Sequence, residues 1–118
     1  MRISIFGLGY VGAVSAGCLA SDGHDVIGVD PNKTKVDLIN QALSPIIEKD
    51  IGEMIARSLA ENRLRATNNA AEAVMDSEIS IICVGTPSQP NGNLDLKYVR
   101  RVCEEIGIYS QDNRLPAQ

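Results

Sequence analysis

The sequence of 118 residues contains no tryptophan, one phenylalanine, three tyrosines and a single histidine. Stacking platforms for bases or sugars are therefore poorly supplied. Its three cysteines, Cys18, Cys83 and Cys103, are odd in number and lack metal-ligand spacing. They read as reduced thiols of a cytoplasmic protein, which excludes a disulfide framework and a metal centre. No basic run is longer than Arg100-Arg101, and the net charge is -4. A nucleic-acid surface carries a basic patch, so nucleic acid is not an expected partner. No apolar run approaches the roughly 20 residues that cross a bilayer, so no membrane partner is expected either. Met1-Arg2-Ile3 leads directly into a strand-like run without a leader pattern. What remains is an ordinary globular composition, 44% hydrophobic and 22% charged, enough to bury a core of single-domain size.

Strand-like and helix-like segments alternate, which predicts a parallel sheet with helices on its faces. Residues 2–6 read as a first strand, and residues 10–22 as a helix closed by Gly23. Residues 25–30 read as a second strand. Residues 33–42 read as a helix with Val36, Ile39 and Leu43 at helical spacing, broken at Ser44-Pro45. Asp50 and Glu53 have the spacing of a capping box ahead of an apolar face made of Ile51, Met54, Ile55 and Leu59. Residues 63–67 give a short third strand, and residues 69–75 a short helix. Glu78 to Val84 is the most apolar strand, which predicts burial on both faces. Asp95 is expected to cap a last helix whose inner face holds Leu96, Val99, Val102, Cys103 and Ile106. Cys18 is likewise expected in the core.

The fold expected is α/β: an incomplete doubly wound parallel sheet of about four strands in the order 3-2-1-4. Residues 1–110 form this domain and residues 111–118 a polar tail. In that order the fourth strand becomes an uncharged edge, which invites pairing. A longer protein, or another covering segment, is the expectation that follows.

The most informative motif is Gly7-Leu8-Gly9-Tyr10-Val11-Gly12, which leaves a strand and opens a helix. In that context a GxGxxG string points to a dinucleotide. Gly7 permits the tight turn, Gly9 lets backbone approach a pyrophosphate, and Gly12 lets the helix pack closely. Ala16 and Ala20 extend the small-residue face. The helix start offers unpaired N–H groups and a partial positive charge. Asp30 ends the second strand eighteen positions after Gly12. An acid about 20 residues on accepts hydrogen bonds from a ribose. It also repels a 2′-phosphate, by roughly 4 kcal/mol at about 4 Å before further screening. NAD is therefore the expected cofactor, in preference to NADP.

Hydride transfer also needs a group that activates the alcohol. His24 sits in a turn far from the glycine loop, and Cys83 lies in an apolar run without a visible base. No catalytic residue and no metal site is assigned. Fold and fingerprint alone lead no further than an NAD-binding domain.

The residues Ile5 to Gly12, Gly28-Val29-Asp30, Lys35, Ser44 to Glu48 and Val84-Gly85-Thr86-Pro87 together resemble the nucleotide-sugar dehydrogenases. Those enzymes oxidise a sugar-nucleotide 6-hydroxyl to a carboxylate in two hydride transfers to NAD. Asn91 to Leu96 and Val102 to Gly107 resemble most the branch that oxidises GDP-mannose for alginate, a polysaccharide, with the UDP-glucose branch close behind. The resemblance implies that Tyr10 and Val11 present backbone to the pyrophosphate. It implies that Asp30 holds the adenosine ribose with Lys35 beside it, and that Thr86 contacts the cofactor across the first strand. It also implies that the catalytic cysteine, its lysine and acid partners and the sugar pocket lie beyond position 118. The isolated chain is then expected to bind NAD without turnover, and the whole protein to be a homo-oligomer. Potassium-transport regulatory domains share the glycine loop and the acid, so a nucleotide-sensing module is a second reading. An inactive orphan fragment is a third.

Overall fold

The computed structural model describes residues 1–44, 49–84 and 96–112, side chains of 98, 111 and 112 aside. The element order is β1 (Arg2–Phe6), α1 (Tyr10–Ser21), β2 (Asp25–Val29), α2 (Lys33–Asn40), α3 (Lys49–Ala60), β3 (Leu64–Thr67), α4 (Ala70–Met75), β4 (Ile79–Ile82) and α5 (Lys97–Asp112). The strands form one parallel sheet in the order β3-β2-β1-β4, as expected. Ile5 pairs with Gly28 on one side and Ile81 on the other, and Gly28 pairs onward with Ala66.

Alternation along each strand feeds two cores. Ile3, Ile5, Val26, Leu64 and Ala66 meet Leu8, Ala16, Ala20, Ile51 and Ile55 on the α1 and α3 face. Phe6, Ile27 and Val29 meet Ala73, Val74 and Val102 on the α4 and α5 face. The small residues Gly12, Ala13, Ala16, Gly17 and Ala20 of α1 are buried, so this helix lies close to the sheet and to α3. Ser4 carries the only polar side chain of β1 that is buried. Its hydroxyl lies 2.7 Å from that of Ser80 and accepts from Ser77 at 3.0 Å.

Helix ends follow local chemistry. Asn32 caps α2 by accepting the amides of Thr34 and Lys35, and Asn69 caps α4 through the amide of Glu72. Gly23 closes α1 with φ +101°, and Asn62 does the same for α3 with φ +59°.

Several expectations are corrected. Helix α2 stops at Asn40, and Ala42 turns to φ +65°, so Leu43 leaves the core and is exposed. Asp50 lies within the first turn of α3, which starts at Lys49, so it does not cap the helix. Strand β4 is an edge in this chain, and Ile79 and Ile82 are exposed, not buried on both faces. Cys18 and Cys103 sit on the outer faces of α1 and α5 and are exposed. Leu96 is exposed as well, whereas Tyr109 packs against the core. Helix α5 runs on to Asp112, into the stretch assigned to the tail. Pro45, Asp95 and residues 113–118 lie outside the described residues.

Candidate functional site

The carboxyl ends of β1, β2 and β4 converge at one place, and the glycine loop fills it. Gly7 turns out of β1 with φ +104°. Its amide donates to the Val29 carbonyl at 2.7 Å, which ties the turn to β2. On the other side, a Cβ at Gly7 would lie 2.6 Å from the Cys83 carbonyl oxygen. The turn is thus held between two strands with no room for a side chain.

Gly9 is the N-cap of α1, in extended conformation. A Cβ there would meet nothing within 4 Å, so the loop's outer face is open at this point. Tyr10 and Val11 follow, with 66% and 63% of their surface exposed. No side chain caps this helix, and its first turn has no acidic residue. Its first amides and its partial positive charge are therefore not answered by side chains, which suits an anion. At Gly12 a Cβ would collide with the carbonyl oxygen of Gly7 and stand 3.5 Å from the Cβ of Cys83, so the missing side chain lets the helix start close against both its own loop and the end of the sheet.

Asp30 follows β2 and is 7% exposed. Its Oδ2 accepts the Leu8 amide at 2.8 Å, and its Oδ1 accepts the Asn32 amide at 2.8 Å. Each oxygen retains acceptor capacity for a further donor. Asp30 does not cap α2, because Asn32 does. Lys35 is half-buried on the first turn of α2, just beyond Asp30. Gly7, Gly9, Tyr10, Val11, Gly12 and Asp30 are thus brought together, with Lys35 one helical turn away. Thr86 lies outside the described residues, and the chain reaches Val84, partly buried, just before it.

Beside this loop, at the same end of the sheet, is a cavity of about 160 Å³. Phe6, Val29, Pro31, Asn68, Ala70, Arg101, Val102 and Glu105 line it. Sequence reasoning missed these residues, because nothing local says that α5 folds back over the end of β2. Larger cavities, about 400 and 490 Å³, lie at the opposite end of the sheet. Arg2, Arg63 and Arg65 face them, but each is already paired with an acid: Glu78, Glu61, and Glu72 with Asp76. They offer no uncommitted cation to a phosphate.

Cys83 packs against the first core, and burial pushes its thiol above the ordinary range. That favours the inert protonated form. Among the described residues, no group of three or more histidine, cysteine, aspartate or glutamate side chains could hold a metal ion. No described helix is long and apolar enough to cross a membrane.

Residues 1–115 match the NAD binding domain of the UDP-glucose/GDP-mannose dehydrogenase family. The chain is 56% identical over 112 residues to the GDP-mannose 6-dehydrogenase of Pseudomonas syringae pv. tomato, covering 95% of this chain and 26% of that protein. It is 39% identical over 112 residues to the UDP-glucose 6-dehydrogenase of Rhizobium meliloti, covering 94% and 26% respectively. It superposes on a crystal structure of a ternary complex of GDP-mannose dehydrogenase from Pseudomonas aeruginosa with a TM-score of 0.91 at 57% identity, over 92% of this chain and 25% of that one. The chain thus spans about a quarter of the length of the curated relatives it matches. It belongs to the UDP-glucose/GDP-mannose dehydrogenase family, and it is that family's NAD-binding domain.

Proposed function

We propose that this chain holds NAD across the carboxyl ends of β1, β2 and β4 as the cofactor portion of a GDP-mannose 6-dehydrogenase. The observation that carries the reading is the open backbone at Gly9, Tyr10 and Val11, one residue from the Leu8 amide held by Asp30. A diphosphate fits the uncapped start of α1, and a ribose fits the free lone pairs of Asp30. Lys35 stands beside the ribose. The adenine enters the cavity between Pro31, Val29 and α5. Thr86 meets the cofactor from the β4 side. NAD, when bound, supplies the hydride acceptor.

In the whole protein, residues outside this chain hold the sugar nucleotide and carry the acid–base and nucleophilic work. The reaction is oxidation of the 6-hydroxyl of GDP-mannose to GDP-mannuronate in two hydride transfers. Higher identity to GDP-mannose than to UDP-glucose dehydrogenases supports the mannose substrate. The family match supports a dehydrogenase over a transport-regulating nucleotide sensor. The reading extends to a homo-oligomeric cytoplasmic enzyme that supplies uronic-acid units for alginate. Within this chain, the cofactor domain takes in all of α5, to Asp112.

Calorimetric titration of the 118-residue chain with NAD and NADP tests the reading, with NADH formation from GDP-mannose followed in parallel. Saturable NAD binding, weaker NADP binding and no NADH are expected. Equal binding of both nucleotides would remove the ribose assignment, and NADH production would remove the claim that this chain lacks the reacting groups.

A further inference from the structure

Leu8 is fully buried, although Tyr10 and Val11, two and three residues further along the same loop, are exposed. Both ends of the residue are committed to β2. Its amide donates to Asp30 at 2.8 Å. Its side chain lies over Gly28, where a Cβ would come within 2.7 Å of Leu8 Cδ2 and 3.3 Å of Cδ1. Gly28 is also flanked by Ile5 of β1 and Ala66 of β3, so the sheet cannot shift sideways to make room. The clashing atoms are the tip of the leucine side chain, and its movement is obstructed because it is packed in the first core with Ile3, Ile5, Val26, Ala16 and Ile55. Interiors are close-packed, so a methyl group placed there is relieved by moving the loop.

We propose that Leu8 is the positioning residue of the nucleotide loop and that Gly28 is the seat it requires. The pair fixes the height of Gly9, Tyr10 and Val11 above the sheet, and the Leu8 amide fixes the same backbone to the ribose acid. Ribose site and diphosphate site are therefore one unit, spaced by a single residue. This deepens the NAD reading above and rests on it. The consequence is selective. A ligand that spans both sites, such as NAD, senses the seat, whereas adenosine, which reaches only the adenine cavity and Asp30, still anchored on the Asn32 amide when the Leu8 amide moves, does not.

The test uses Gly28→Ala, Leu8→Val and the double variant in the 118-residue chain. Folding is followed by circular dichroism, the Leu8 amide by hydrogen exchange in NMR, and binding by titration with NAD and with adenosine. Gly28→Ala is expected to weaken NAD by on the order of tenfold, about 1.4 kcal/mol, with adenosine unchanged. It is also expected to speed exchange at the Leu8 amide. Leu8→Val removes the clashing methyl groups and, in the Gly28→Ala background, is expected to restore both. Unchanged NAD affinity in a folded Gly28→Ala overturns the proposal. So does parallel loss of NAD and adenosine without rescue. If Gly28→Ala fails to fold, recovery of folding and NAD binding in the double variant supports the pairing, and failure to recover overturns it. If wild type binds no NAD, the NAD reading fails by itself. Leu8 exchange in Gly28→Ala against the double variant still decides the coupling.

Discussion

A Cβ on Gly12 would stand 1.6 Å from the carbonyl oxygen of Gly7, five residues earlier in the same loop. Both atoms belong to or adjoin backbone, so no rotamer change relieves the contact. Gly9, between them, would meet nothing within 4 Å, and its φ of -76° suits any residue. The glycines of one motif therefore answer to different demands. Gly7 and Gly12 make the turn possible, and Gly9 leaves it open.

Gly12→Ala is expected to lose on the order of 3 kcal/mol or more and to unfold much of the chain. Gly9→Ala is expected to fold with stability within about 0.5 kcal/mol of wild type and to bind NAD more weakly, because its methyl group fills space the diphosphate needs. Urea denaturation and NAD titration of the two variants check this. A stable Gly12→Ala, or a Gly9→Ala with unchanged affinity, contradicts it.

Asp30 has a structural duty as well as the proposed ribose contact, since it accepts the amides of Leu8 and Asn32. Asp30→Ala leaves the buried Leu8 donor without its partner and is expected to cost about 1–3 kcal/mol. It also weakens NAD and narrows the gap between NAD and NADP, because the repulsion of the 2′-phosphate disappears. Asp30→Asn removes the charge but keeps an acceptor, so it is expected to narrow the gap with a smaller loss of stability. Thermal melts with NAD and NADP titrations separate the two effects. If NAD and NADP affinities fall together in both variants, Asp30 does not read the ribose.

The outer edge of β3 is closed by a side chain. Asn40 donates its amide to the Ala66 carbonyl and accepts the Ala66 amide, both at 2.9 Å, so it acts as a one-residue strand. Asn40→Ala is expected to cost about 1–2 kcal/mol and to raise exchange at the Ala66 amide. Asn40→Asp keeps the acceptor and loses the donor, so an intermediate loss is expected. An unchanged Ala66 amide in Asn40→Ala would show that the edge is protected by other means.

Cys83 gives a pH dependence. Its folded thiol is pushed up by burial, so the folded state favours the protonated form. The contribution is fully present below the ordinary thiol range and is lost as pH rises through the raised folded value. Stability is therefore expected to fall above the ordinary thiol range, and Cys83→Ala is expected to flatten that part of the curve. Alkylation at mildly alkaline pH is expected at Cys18 and Cys103, which are exposed, before Cys83. Preferential labelling of Cys83 contradicts this.

The sheet order and most of the helix limits were legible because alternation, glycine punctuation and polar caps are local signals. The open loop at Gly9 was legible for the same reason. Contacts made only by folding were not. The Asn40 bridge joins positions 26 residues apart, and the Leu8 amide reaches Asp30 across 22. Neither leaves a mark on periodicity. Cys18 and Cys103 read as core because they sit among apolar residues at helical spacing, yet the helices turn them outward. Leu43 failed similarly, since nothing in the sequence foretells a positive φ at alanine 42. The apolar run of β4 suggested burial, but exposure depends on what lies beside a strand, and β4 pairs with β1 on one side and with no second strand among the described residues, which leaves Ile79 and Ile82 exposed.

The most direct test of the account is to map amide shifts by NMR while NAD is added to the 118-residue chain. The account predicts that the shifts cluster at Leu8 to Gly12, Asp30 to Asn32 and Arg101 to Glu105, around the small cavity at the carboxyl ends of the strands. Shifts centred on Arg2, Arg63 and Arg65, at the other end of the sheet, or no shifts at all, would contradict it.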